Sequence, residues 1–324
     1  MTEVELKTKL SAILKTNRSM RVYLILREDD GSYAIKLADI KNADSDKVKE
    51  LFENHLTNAI INDDDLKICE LSISEERTHT IYHYDYENYP EILSVFNDFK
   101  LSNYLDDDLI KFSFNDNDLS KLFGYIIYIG NMEDGIVLFK QHYPVSLIKR
   151  DSFLLGVKKS DSRFELMTGC DILRLNGDIQ MLKLNDQIYI SNLNVLEKNI
   201  GFTELIKKAA NETIVSIESL DILEDIQVLR DAAEDISFAR KLSKVIKSSP
   251  IFQLKIPKNT IIEFTKKTKE LSGKFKYSTS GNEIRLDTNE SKKQFIKLMN
   301  DSFLRSELTN QFYETFAKDQ MSAN

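Results

Sequence analysis

The apolar and polar positions change their period twice along this chain. In the first third they alternate between a strand-like and a helix-like spacing. MTEVELKTKLSAILKTN reads as an amphipathic helix. Residues 21–27 (RVYLILR) and 32–37 (SYAIKL) read as strands around EDDG, with Gly31 where a hairpin turn tolerates positive φ. Residues 45–56 place Val48, Leu51, Phe52 and Leu56 at helical spacing. Residues 66–73 and 80–86 read as strands, and 90–99 as a helix with Pro90 in its first turn. The middle is β-rich: 122–129 (LFGYIIYI) and 135–141 (GIVLFKQ) flank NMED, and 153–158 and 163–167 flank KSDS. Strands 171–175, 179–184 and 187–191 follow, turning on NGD and ND.

From Phe202 the period becomes 3.6. Residues 202–217 form one helix, and Ile222, Ile226, Leu229, Ala233 and Ile236 continue at steps of four and three as a seam. Such a seam faces a core or a second copy of the chain. A helix over 237–247 stops before Pro250, and 258–271 is helical. Short strands 274–277 and 283–286 enclose STSGN. Asp287 with Glu290 makes a capping-box pattern for a helix over 290–300, and 304–316 closes the chain. The fold class is therefore α+β. It divides into a mixed strand and helix region (1–118), a central antiparallel strand meander (119–200), and a helical region with a basic β-hairpin (201–324).

Composition bounds the class. With 42 % hydrophobic and 30 % charged residues in 324, the chain can bury a sizeable core. Only 10 Gly and 4 Pro argue against long flexible linkers. No apolar run approaches the roughly 18 residues a spanning helix needs, and the first residues lack the apolar run of a signal peptide. Cys69 and Cys170 sit in strand-like apolar segments and read as buried thiols of a reducing, cytoplasmic compartment.

Charge changes the picture more. The net charge of −8 argues against a generic nucleic-acid binder. Its distribution does not. Residues 1–118 carry 14 Lys+Arg against 25 Asp+Glu, and residues 239–324 carry 17 against 9. A local field steers a polyanion whatever the total. Arg240, Lys244 and Lys247 share one helix side at i, i+4, i+7. Lys266 and Lys269 pair at i, i+3 with Lys267 beside them, and Lys293 and Lys297 pair at i, i+4. Lys274, Lys276 and Arg285 decorate the hairpin, interleaved with Phe275 and Tyr277. Helix, basic hairpin and basic helix resemble a winged helix in outline. Lysine outnumbers arginine here, which favours contacts to the phosphate backbone over base reading. The competing reading is a solvated surface with ordinary pairs such as Glu263–Lys267 and Glu290–Lys293.

Catalytic chemistry finds little purchase. His79 and His83 lie four apart in THTIYH and could offer two metal ligands on one strand face, without a third at a convincing spacing. Asp63, Asp64, Asp65 and Lys67 mimic part of a nuclease pattern in which carboxylates hold a metal and a lysine stabilises phosphate charge, but the pattern is common in a chain this acidic. Asp106, Asp107 and Asp108 read the same way. There is no GxxxxGK[ST], GxGxxG or GxSxG. No enzyme, metal or cofactor is expected.

The stretch from Asp171 onward carries a resemblance. LNDQIYISNLNVLEKNIGF (184–202) is followed by KKAANETI (207–214), LRDAAEDISFARKLSKVIKSSPIF (229–252) and LMNDSFLRSELTNQFYE (298–314). Together they resemble the KwaB-like family of the bacterial Kiwa anti-phage defence system. The resemblance implies a cytoplasmic effector that binds DNA and hinders phage replication and late transcription. It implies self-association, as a homodimer or higher homo-oligomer, and recruitment to the inner membrane by a membrane protein, the KwaA-like partner, with no membrane segment of its own. It supplies no catalytic residues. An adaptor reading stands beside it, in which the acidic first 118 residues dock the positive-inside loops of a membrane sensor. A metal-dependent nuclease acting through the Asp63–Lys67 cluster is the third.

Overall fold

The computed structural model describes residues 1–16, 19–72, 77–105, 110–131, 134–148, 157–160, 163–166 and 172–314. The expectations for Cys170, for Asp106, Asp107 and Asp108, and for 315–316 lie outside them. The protein is α+β, and its chain forms two compact units. The first comprises Met1–Cys69, Thr78–Tyr84 and Glu91–Ile200, and the second Glu70–Arg77, Asp85–Pro90 and Gly201–Asn324.

The first unit is built on an eight-stranded sheet. Its strands are β1 (Ser19–Arg27), β2 (Tyr33–Leu37), β3 (Lys67–Glu70), β4 (Thr80–His83), β5 (Leu122–Gly130), β6 (Gly135–Gln141), β11 (Met181–Leu184) and β12 (Gln187–Ile190). Their order is β2-β1-β5-β6-β11-β12-β4-β3, so strands from both sides of residue 118 share one sheet. Between β6 and β11 lie β7 (Leu147–Ile148) paired with β10 (Ile172–Leu173), and β8 (Val157–Ser160) paired with β9 (Arg163–Leu166). The hairpin turn of β11 and β12 uses Asn185 and Asp186 at φ 50° and 59°, the left-handed pair that a two-residue turn requires.

Helices cover both faces of the central strands. Leu6, Leu10 and Ile13 of α1 (Glu3–Lys15) and Phe52 and Leu56 of α2 (Asn42–Leu56) join Val22, Leu24, Tyr125, Ile127, Ile129 and Leu138 in one core. On the opposite face Phe96 of α3 (Glu91–Asp98) meets Phe139 edge-on at 5.9 Å, and Phe99 meets Tyr23 at 5.1 Å. Burial on both faces explains why LFGYIIYI is apolar almost throughout rather than alternating. A short helix, α4 (Leu193–Asn199), closes the unit, capped by the Asn192 side chain.

The second unit is mostly short helices. α5 (Phe202–Ser219) buries Phe202, Ile206, Ala210, Ile214 and Ile217 along one stripe and packs against α7 (Ile236–Ser243). Between them the expected seam is not one helix. Ile222, Leu229 and Ala233 are buried, but Asp221 adopts φ 52°, α6 (Gln227–Ala232) is short, and Asp235 is extended to cap α7. The helix expected over 237–247 is likewise two, α7 and α8 (Val245–Ser248), joined at Lys244. α9 (Pro250–Gln253) starts on Ser249, whose hydroxyl accepts from Ile251 N–H and donates to the Met299 carbonyl. α10 (Lys258–Lys267) precedes the hairpin of β13 (Lys276–Tyr277) and β14 (Ile284–Arg285), and α11 (Asn289–Met299) follows it.

One local expectation is corrected here. α11 is opened by Thr288 with Ser291, not by Asp287 with Glu290, because the Asp287 carboxylate is committed to Lys276 and Arg285. Residues 303–314 form a hairpin, β15 (Phe303–Arg305) with β16 (Phe312–Glu314). Asn310 at φ 56° turns the chain, and Phe303 stacks on Phe312 at 5.8 Å. That cross-strand contact helps to hold the pair.

Candidate nucleic-acid interface

α10 shows how the local sequence makes a basic surface. Ile261, Ile262 and Thr265 are buried, which leaves Lys266 and Lys267 in the last turn, exposed, where they complement the carbonyl end of the helix dipole. Lys266 Nζ donates to the Gly281 carbonyl at 2.5 Å and lies 4.9 Å from the Tyr277 ring centre. It therefore clamps the hairpin turn onto the helix. Gly281 adopts φ 72°, which brings its carbonyl round to this lysine. Tyr277 in turn donates its hydroxyl to Thr265 at 3.0 Å.

The hairpin carries two more of the expected cations as cross-strand partners, Lys276 opposite Arg285. Both reach Asp287, at 3.1 Å and 3.5 Å, and Arg285 also meets Glu224 at 3.0 Å. Two like charges directly opposed on a ladder repel, and Asp287 offsets that. β14 is further held by Ile284, which bridges Leu223 in parallel. Lys267 pairs with Glu263 at 2.6 Å, and that lysine holds the Glu263 carboxyl below its usual range. Both side chains are largely exposed, so the pair is weak and readily exchanged for an outside anion. Lys269, Lys274 and Lys293 are exposed and form no ion pair among the described residues.

The remaining cations are placed differently. Lys244, at the joint of α7 and α8, is only 5 % exposed, and Arg240, four residues earlier on α7, is half-buried. Lys247 is half-exposed, 3.8 Å from Asp85 and over the Tyr86 ring at 5.2 Å. Lys297 is half-buried on α11. The structure thus brings Lys266, Lys276 and Arg285 together at one hairpin, with Lys267, Lys269 and Lys274 beside them in the chain. Helical spacing placed Arg240, Lys244 and Lys247 on one side but could not say that this side faces inward for Lys244.

The metal and nuclease candidates have other partners. His79 sits before β4 at φ 52°, with Nδ1 3.0 Å from Asp63, and this hydrogen bond raises the imidazole pKa. His83 stands in the strand against the Tyr189 ring. Asp63 also accepts from Asp65 N–H, so it closes a turn. Among the described residues no three His, Cys, Asp or Glu side chains gather as metal ligands. Among them, too, no helix is long and apolar enough to cross a membrane.

Sequence reading missed the acids that organise the surface. Asp287, Glu224 and Asp85 each hold a basic residue in place, and only the fold brings Glu224 and Asp85 near Arg285 and Lys247.

Comparisons with known proteins bear on what such a surface serves. The chain is 28 % identical over 321 residues to "Kiwa protein KwaB" of Escherichia coli O55:H7 (strain RM12579 / EPEC), covering 99 % of each. No solved structure matches it. The profile of the family described as "Kiwa protein KwaB-like" matches residues 119–309. The basic hairpin and its flanking helices fall inside the matched span, and the chain belongs to the Kiwa protein KwaB-like family.

Proposed function

We propose that the protein is an anti-phage defence effector that binds DNA through the basic hairpin surface of its second unit, largely without regard to sequence. Family membership supports the defence role. The observation that carries the DNA reading is the stretch from Lys266 to Lys276, in which five lysines lie on or beside a hairpin whose turn is clamped by one of them. Lysine ammonium groups act on phosphates as point charges and read little sequence. Bound along phage DNA, the protein hinders replication and transcription by occupancy rather than by cleavage. A membrane partner with basic cytosolic loops meets the acidic first 118 residues and recruits the chain to the inner membrane, where it acts as a homo-oligomer.

Fluorescence anisotropy with a labelled duplex, taken across a salt series, tests the DNA reading. Each phosphate neutralised contributes about −0.9 to the slope of log K against log salt. Lys269→Glu, Lys274→Glu and Lys293→Glu together flatten that slope and leave the hairpin intact, since none of the three holds it. No binding at low salt, or an unchanged slope in the triple variant, removes this surface from the function.

A further inference from the structure

The first unit contains a polar cleft that none of the preceding chemistry uses. It consists of two cavities that share Lys140, Tyr143 and Asn176 on their walls. The smaller, about 160 Å³, is lined by Tyr125, Gln141, His142, Ser146 and Arg174 besides those three, and by no carboxylate. The larger, about 720 Å³, has an apolar floor that includes Ile60, Leu66, Ile81 and Ile179. Its walls carry Asp63, Asp178 and the amides of Asn58, Gln180 and Asn192. Three of the four histidines line the cleft, His55 and His79 in the large cavity and His142 in the small one.

The polar groups of the small cavity are oriented rather than incidental. Lys140 is 5 % exposed, and its ammonium donates to the Asn176 side chain and, at 3.1 Å, to the Asp178 carbonyl. Burial lowers its affinity for a proton, so an anion brought beside it is held more strongly than one beside a solvated lysine. Tyr125, its hydroxyl kept protonated by burial, lies 3.1 Å from His142 Nδ1. With that hydroxyl donating to Nδ1, neutral His142 carries its hydrogen on Nε2. Gln141 is 7 % exposed, and its amide nitrogen donates to the carbonyls of Phe123 and His142, which fixes the amide orientation. Its Oε1 is left buried with no protein partner. Gly177 lets the loop carrying Asn176 and Asp178 close onto α2, since a Cβ there would lie 2.4 Å from the Leu51 carbonyl.

From this arrangement we infer that the cleft binds a nucleoside monophosphate, with the phosphate in the small cavity at Lys140 and Arg174 and the nucleoside in the large one. The small cavity holds two cations and no acid, which suits a compact dianion. The large cavity lies in the size range of small-molecule sites, about 300–1,000 Å³. Its carboxylates and amides accept from ribose hydroxyls and pair with base edges, while its apolar floor takes the ring faces. This site is independent of the DNA surface, which belongs to the other unit.

Isothermal titration calorimetry of the full chain with AMP, GMP, CMP and UMP tests the inference, with inorganic phosphate and adenosine as the separated halves. At least one monophosphate binds, and more tightly than either half. Arg174→Ala, at an exposed position, weakens it about tenfold to a hundredfold, the value of one lost charge-assisted contact. The variant retains the DNA salt slope. A fold-independent check uses the wild type alone: the monophosphate raises the unfolding temperature, and the stabilisation grows with the logarithm of ligand concentration over Kd. Absence of binding by all four monophosphates at millimolar concentration overturns the inference. So does equal affinity for phosphate alone, or unchanged affinity in Arg174→Ala.

Discussion

The sheet of the first unit and the basic hairpin surface of the second handle lysine in opposite ways. In the first unit Lys140 and Lys183 end buried on the sheet, their ammonium groups donating to Asn176 and to the Asn97 carbonyl. In the second unit Lys267, Lys269, Lys274 and Lys293 stand in solvent, and Lys266 is half-committed to a turn. A buried lysine is held by oriented dipoles and serves one place in a structure. An exposed one has rotamer freedom and exchangeable partners, which suits an irregular polyanion. Net charge alone distinguishes neither case; burial does.

The largest effects that could break this contrast are in the cores. Phe139→Ala in the sheet removes a fully buried ring and costs about 3–5 kcal/mol, read in chemical denaturation as an early loss of the first unit's transition. Phe295→Ala on α11, equally buried, does the same to the second unit's transition. A single shared transition displaced alike by both would mean that the units do not unfold independently.

A smaller effect sharpens the picture of the basic unit. Ser249→Ala removes both the α9 cap and the bond to the Met299 carbonyl, a loss of about 1–3 kcal/mol in the second unit alone. The basic hairpin then frays with α11, and the proposed affinity for DNA falls although no cation has been touched.

The smallest effects are in protonation. His79 is raised by its bond to Asp63, so its contribution is present below the unfolded value near 6.5 and is lost as pH rises through the folded value. His55 is lowered by burial despite Asp178 at 3.6 Å, so the folded state resists its protonation and loses stability as pH falls through 6.5. NMR titration reads the two imidazoles moving in opposite directions from 6.5. Asp63→Asn returns His79 toward it and leaves His55 in place.

Much of the first unit was legible because strand period and turn chemistry are local. The strand expected over 135–141 is the one found, and the expected pairs 21–27 with 32–37 and 179–184 with 187–191 recur as hairpins within a residue or two. The second unit was read less well. Its helices are short, and short helices end where caps and tertiary contacts compete, as at Asp235, Lys244 and Thr288. The cleft left only a faint trace, the polar run Lys140, Gln141 and His142 at the end of a strand otherwise wholly apolar.

By itself, then, the amino-acid order determined the α+β class, the main hairpins and the concentration of positive charge in the last quarter, because each depends on neighbours within a few residues. Tertiary structure alone decided that β4 lies beside β12, that Lys244 is enclosed while Lys267 is free to meet solvent, and that Lys140, Gln141 and Arg174 share one cavity. The sheet order and the cavity depend on partners more than thirty residues away in the chain, whose burial no local period encodes.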